Sequence, residues 1–121
     1  MKLKDIYNKI ISENTWNGET VEYKSTQNIN IEAYIEPDEI GDPYAKIYFI
    51  EIPENLRKNG VGKKEIDNFK KWAKSYGVGS IEVNNILDDA VPFWKKMGAN
   101  INNNDLQDLE DGDKIHAWIE I

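Results

Sequence analysis

The run Arg57-Lys58-Asn59-Gly60-Val61-Gly62 lies between an apolar strand-like segment, Ala45–Ile52, and an amphipathic helical segment that ends at Tyr76. A strand feeding a glycine-containing turn and then a helix start leaves backbone N–H groups without internal partners at the positive end of a helix dipole, a setting that suits phosphate oxygens. Arg57, Lys58, Lys63 and Lys64 add positive charge there to a chain whose formal net charge is −7, so the sign of the charge inverts locally. These residue types in this order point to a phosphorylated ligand. A nucleoside-triphosphate loop is excluded, since it needs Gly-x-x-x-x-Gly-Lys-Ser/Thr, and a dinucleotide fingerprint would need a third glycine where Glu65 stands.

Further along, past that helix and a short strand, comes Ala90-Val91-Pro92-Phe93-Trp94-Lys95-Lys96-Met97-Gly98. Taken together, the two segments resemble the Arg/Gln-x-x-Gly-x-Gly/Ala turn and the Ala-x-x-Phe-Tyr/Trp-x-Lys-x-Gly signature of the GNAT superfamily, the acyl-CoA-dependent N-acyltransferases. The resemblance runs from Ile47 to Gly98. It implies acetyl-CoA (coenzyme A after transfer) as co-substrate, its pyrophosphate gripped by the amides of Lys58, Asn59, Gly60, Val61, Gly62 and Lys63, with Arg57 beside them. It also implies that the end of the central strand, Ile50, Glu51 and Ile52, splays from its neighbour and offers main-chain groups to the pantetheine amides.

Acyl transfer to nitrogen needs a free lone pair, while an alkylammonium of pKa near 10 is mostly protonated at neutral pH, so a base within reach is useful. Two carboxylates are candidates. Glu82 matches, by its distance to Phe93-Trp94, the catalytic glutamate of the ribosomal-protein alanine acetyltransferases. Glu51 is an acid inside an apolar strand, costly unless it faces a polar site. Each is equally readable as a solvent-facing or ion-paired side chain.

Two positions depart from the family pattern. Where many members carry an asparagine that holds pantetheine, this chain has Leu87, with Asn84 and Asn85 nearby as substitutes. Trp94, assigned to the cofactor site, stands where many members place the tyrosine that protonates the leaving thiolate, and an indole does not deliver a proton at neutral pH. Either the thiolate leaves as such, since its pKa is about 8 to 9, or Tyr48 or Tyr76 serves. The alternative is a non-catalytic acyl-CoA-binding or protein-interaction module on the same fold.

With no cysteine in the sequence, disulfides, thiolate metal sites and a cysteine acyl carrier are excluded, so transfer is expected to be direct. One histidine, His116, makes a histidine-rich metal site or a Ser-His-Asp triad improbable, and no metal is required. The acidic balance repels nucleic acid and favours a cationic amine acceptor. The acidic runs Glu36–Asp42 and Asp105–Asp113 are candidates to line its site, as is the His116, Trp118, Glu120 face of the last strand.

Length and composition set the frame for these residues: 121 residues, 40% hydrophobic and 31% charged, read as one domain over 1–121 with a single core. No apolar run is long enough to span a bilayer and the N-terminal residues lack the unbroken apolar stretch of a signal peptide, so the cytoplasm is the expected compartment. The oligomeric state is open, a homodimer included.

The elements that must position the site follow from periodicity. Leu3, Ile6, Tyr7, Ile10 and Ile11 fall at helical spacing, predicting a helix over Lys2 to Glu13. Val21–Lys24 and Ile29–Ile35 read as a hairpin through Ser25–Asn28, and Glu36–Pro43 as a loop. Tyr44–Ile52 is nearly continuous in Ile, Tyr and Phe and predicts a central strand covered on both faces. A helix with Ile66, Phe69, Ala73 and Tyr76 on one face stops at Gly77, and a strand follows over Ser80–Val83. A second helix starts at Asp88-Asp89 and Pro92 and stops at Gly98. Asn100–Asp113 reads as a polar segment and Lys114–Ile121 as a closing strand with one buried face. The order predicts a mixed, mostly antiparallel α/β sheet with flanking helices, the GNAT-like fold shortened at its N-terminus.

Overall fold

The computed structural model describes residues 16–57 and 59–121. The helix predicted over Lys2 to Glu13, and Lys58, lie outside the described residues.

Among the described residues five strands form one sheet in chain order: β1 (Val21–Glu22), β2 (Asn30–Pro37), β3 (Pro43–Glu51), β4 (Ser80–Ile86) and β5 (Ile115–Glu120). The β3–β4 pair is parallel and the others are antiparallel. The parallel step has a physical requirement, a crossover, and the helix α1 (Val61–Ser75) supplies it. Two further helices, α2 (Val91–Lys96) and α3 (Asn103–Glu110), lie in the β4–β5 connection.

One face of the sheet holds the core. Period-two alternation buries Ala33 and Ile35 of β2, Ala45 and Ile47 of β3, Ile81 and Val83 of β4, and Ile115, Ala117 and Ile119 of β5. Against them pack Ile66, Phe69 and Ala73 of α1, Val91 and Trp94 of α2, and Leu106 and Leu109 of α3. Each large fully buried side chain, Phe69 or Ile47 for example, contributes about 1.5–3 kcal/mol by leaving water. Helix α1 ends as its sequence predicts: Gly77 takes a left-handed φ of 84° and the Val78 N–H returns to the Ala73 carbonyl at 3.3 Å.

Three expectations are corrected. Among the described residues the strand β3 is not covered on both faces: Tyr44, Lys46 and Tyr48 are only half-buried and Phe49 is exposed, because the described helices all feed the core on the other side. The segment expected to be merely polar contains α3, started by a reciprocal cap in which Asn102 Oδ1 accepts the Asp105 N–H at 2.9 Å and Asp105 Oδ2 accepts the Asn102 N–H at 3.0 Å. The start of α2 has no side-chain cap, and Asp88–Ala90 form instead a short 3₁₀ turn leading into Val91.

Candidate functional site

The strands β3 and β4 share only three residue pairs, Ala45↔Ile81, Lys46↔Glu82 and Ile47↔Val83. Beyond Ile47 and Val83 each strand follows its outer neighbour. On β3 the pairing with β2 slips by one residue at Tyr48, after which Phe49, Ile50 and Glu51 continue opposite Glu32, Ile31 and Asn30. On β4 the pairing with β5 slips between Val83 and Ile86, where Asn85 takes a φ of 57°. Such bulges twist and bend a strand. Past the last shared pair the β3 edge, up to Glu51, has backbone groups with no β4 partner.

Past the end of β3 a 3₁₀ turn, Glu54–Leu56, leads to the start of α1. Gly60 adopts a φ of 72°, in the left-handed region that glycine enters without strain, and no side chain caps the helix. The first helical hydrogen bond is Lys64 N–H to the Gly60 carbonyl at 3.0 Å, so the N–H groups of Val61, Gly62 and Lys63 have no helical acceptor. The Asn59 N–H, by contrast, is engaged by the Leu56 carbonyl at 3.1 Å. Gly62 is required for a different reason from Gly60. A Cβ there would run into the Ile52 side chain and come within 3.0 Å of the Phe93 ring. The absence of a side chain therefore lets the helix start press onto the end of β3 and onto α2.

The basic residues are more occupied than their types suggest. Arg57 donates from Nε to the Ile52 carbonyl at 3.0 Å, closing the end of β3, and Lys63 pairs with Asp67 at 2.7 Å one helical turn on. The Lys63 ammonium holds the Asp67 carboxyl below its ordinary value. Trp94 is buried in the core with its ring edge-on to Phe93 at 5.0 Å, so it is Phe93 that meets Gly62. Phe93 escaped the sequence reading because only the aromatic pair as a unit carries the pattern, and which ring faces the loop depends on how α2 docks.

Past the last shared pair sits Asn84, whose Oδ1 is the one buried side-chain oxygen or nitrogen without a hydrogen-bond partner among the described residues. A buried acceptor left unpaired is expensive. Leu87, three residues further on, is half exposed.

On the sheet face away from the core, one register row crosses the strands: Glu22, Tyr34, Lys46, Glu82 and Trp118. Lys46 Nζ lies 3.5 Å from Glu82 Oε2 and 4.8 Å from the centre of the Tyr48 ring. Burial works to lower the Lys46 pKa, but the Glu82 carboxylate and the Tyr48 and Tyr44 hydroxyls outweigh it and hold the ammonium above the ordinary lysine value. The Tyr48 hydroxyl donates to Glu36 at 3.0 Å and the Tyr44 hydroxyl to the same carboxylate at 3.3 Å; burial and this carboxylate raise both phenols. A cavity of about 530 Å³ opens beside the row, lined among others by Asp38, Glu39, Tyr44, Lys46, Glu82 and Trp118.

Of the two candidate bases, Glu82 is thus inside this cavity, whereas Glu51 is exposed at the end of β3. His116 and Glu120 are exposed on β5, with Trp118 between them reaching the cavity. Tyr76, offered as a proton donor, packs on Trp72 at the far end of α1 from Gly60, about 24 Å away along the helix axis. The acidic run Asp105–Asp113 is largely helix α3 and is not part of the cavity lining.

A parted parallel strand pair opening onto an uncapped helix start is the architecture of an acyl-CoA N-acyltransferase. The acetyltransferase (GNAT) family pattern matches residues 21–99, and the chain belongs to that family. No curated protein sequence matches the chain. Among solved structures it is similar to Ard1 from Thermoplasma volcanium, at 17% identity over 100% of this chain and 94% of that one, with a TM-score of 0.55. It is similar also to a GNAT family acetyltransferase from Elizabethkingia anophelis with acetyl-CoA bound, at 16% identity over 99% and 84% of the two chains and a TM-score of 0.55. A third is the Bacillus subtilis acetyltransferase in complex with CoA, at 15% identity over 100% and 94% and a TM-score of 0.53. The family match extends well before the segment that carries the two signatures, into the β1–β2 hairpin.

Proposed function

We propose that this protein transfers the acetyl group of acetyl-CoA to a primary amine by direct attack within a ternary complex. The observation that carries the reading is the parting of β3 from β4 after Ile47↔Val83, next to the uncapped start of α1. The similar structures from Elizabethkingia anophelis and Bacillus subtilis hold acetyl-CoA and CoA respectively, which supports the same ligand here.

In this reading Ile50, Glu51 and Ile52 pair through their backbone with the pantetheine arm, as an added strand would. The Asn84 Oδ1 accepts an amide N–H of that arm and so acquires the partner it lacks, a substitute for the asparagine that Leu87 replaces. The amides of Val61, Gly62 and Lys63 take the pyrophosphate oxygens, with Gly60 shaping the turn and Asn59, Arg57 and Lys63 lining it. Trp94 supports the site from the core by holding Phe93 against Gly62.

Glu82 removes the proton from the acceptor ammonium, and the neutral nitrogen attacks the thioester carbonyl. The adduct gives up its second nitrogen proton to water, and the amide forms as the carbon–sulfur bond breaks. Tyr48, kept protonated by burial and by Glu36, is the phenol on the same sheet face that can return a proton to sulfur. The acceptor is cationic, since Asp38, Glu39 and Glu82 line one cavity and Glu36 is held by the hydroxyl of Tyr44, another of its lining residues.

The test is to incubate the protein with acetyl-CoA and polyamines, aminoglycosides and peptide N-termini, following free thiol and acetylated product together. Matching amounts of thiol and N-acetyl amine are expected from a cationic acceptor; thiol release that no amine stimulates would overturn the reading.

A further inference from the structure

The cavity assigned above to a cationic amine already contains an ammonium, that of Lys46. It enters from β3 with 20% of its side chain exposed, meets Glu82 Oε2 at 3.5 Å and lies 4.8 Å from the centre of the Tyr48 ring. A carboxylate and the face of a phenol ring are the two groups that hold an alkylammonium best, and neither depends on the ammonium being tethered to the chain. Glu36, held by the Tyr44 and Tyr48 hydroxyls, and Asp38 and Glu39 at the rim supply more negative charge than one lysine neutralises. The four-carbon stem of lysine lets its head move without disturbing the strand.

We propose that Lys46 is the internal occupant of the acceptor's ammonium subsite, and that a primary alkylammonium enters by taking its place between Glu82 and the Tyr48 ring. The functional meaning of this inference rests on the acetyl-transfer reading; its physical content does not. A tethered ammonium competes with a free one, so apparent acceptor affinity is lower than the subsite itself allows. The subsite thereby discriminates against weakly bound monoamines and favours acceptors with a second positive charge for Asp38 or Glu39.

The experiment is chemical rescue read by thermal unfolding, without acetyl-CoA. Lys46→Ala removes the head and all of the stem beyond Cβ, and n-propylammonium restores both. At ten times its Kd, n-propylammonium is expected to raise the Tm of Lys46→Ala by about 4 °C and to leave wild type and Lys46→Ala/Glu82→Gln within 1 °C, a shift typical of one ligand on a domain of this size. n-Propanol, its neutral counterpart, should do nothing. Should Lys46→Ala fail to fold, Lys46→Met keeps an apolar stem of the same length, and ammonium is then the probe with the same expected pattern. Equal shifts in all variants, or none in the lysine variants, would overturn the subsite.

Turnover distinguishes the two levels. With acetyl-CoA present, Lys46→Met should show a KM for the amine about tenfold below that of wild type; an unchanged KM with a reduced kcat makes Lys46 a positioning group for Glu82 and overturns the competition. Rescue in the absence of any acetylated amine sustains the ammonium subsite and overturns acetyl transfer. Transfer without rescue does the reverse.

Discussion

The Glu65 carboxylate, fully buried on α1, accepts the backbone N–H of Thr26 at 3.0 and 3.1 Å from its two oxygens and the Thr26 hydroxyl as well. The Tyr23 hydroxyl donates to the same carboxylate at 3.3 Å, and Asn68 donates to Thr26 Oγ1 at 2.8 Å. A charge this deep persists only because its lone pairs are used. The result is a pin between the β1–β2 turn and the helix whose first turn bears amides without helical acceptors.

Replacing Glu65 with leucine should therefore destabilise the protein even though an apolar residue suits the position by helical spacing. It leaves the Thr26 N–H and the Tyr23 hydroxyl without an acceptor. The expected loss is about 2–4 kcal/mol, measured by urea unfolding at neutral pH. A change below about 0.5 kcal/mol would show that water replaces the carboxylate.

Tyr23 is itself informative about alkaline pH. Burial, opposed by the hydrogen bond with Thr26 and reinforced by Glu65, raises its pKa from 10.0 to about 12. The folded state thus keeps a proton that the unfolded state gives up, so stability should fall as pH rises from about 10 through about 12. Tyr34, Tyr44, Tyr48 and Lys46 are shifted in the same direction and add to the decline. In Tyr23→Phe the decline should be shallower, and the phenol that titrates last in the ultraviolet should be missing. An identical alkaline profile in the mutant would contradict the assignment.

Coenzyme A should stabilise the wild type, by about 2.7 kcal/mol at a hundredfold excess over Kd, seen as a rise in Tm. Gly62→Ala needs a separate reading. Its Cβ meets Ile52 and Phe93, so it should lose about 1–3 kcal/mol with no ligand present. Its response to coenzyme A should also shrink. If millimolar coenzyme A leaves the wild-type Tm unchanged, the anion site is misassigned.

Since the chain has no cysteine, initial-rate plots in acetyl-CoA and amine should intersect. Parallel lines, or an acetylated protein that passes its acetyl group on to an amine, would contradict direct transfer.

Strand identity was legible wherever alternation was strict, as in Ile115, Ala117 and Ile119 against His116, Trp118 and Glu120. The helix α1 and its glycine stop were legible too, because the turn residues at each end are local. What escaped was non-local or masked by composition. The cap Asn102…Asp105 is a helix start, yet in an acidic run its residues look like solvated loop. Glu65 lies on the apolar face of its helix, and its partners lie 39 and 42 residues away. The pairing of Lys46 with Glu82 depends on the register of a parallel pair separated by a whole helix, which periodicity along one strand cannot supply. The one-sided burial of β3 was missed because tyrosine and phenylalanine on its outer face mimic a doubly covered strand.

The central claim is that acetyl transfer occurs with Glu82 as the base. The decisive measurement is the pH dependence of kcat for Glu82→Gln beside Glu51→Gln. Glu82→Gln should lower kcat by about 10²–10⁴-fold, lose the rising limb of the profile and bind acetyl-CoA as wild type does, while Glu51→Gln should stay within a few-fold. A large loss in Glu51→Gln with Glu82→Gln unaffected would move the base to the end of β3 and contradict the account, and tight acetyl-CoA binding with no amine acetylated by wild type would leave a non-catalytic module with Trp94 in its core.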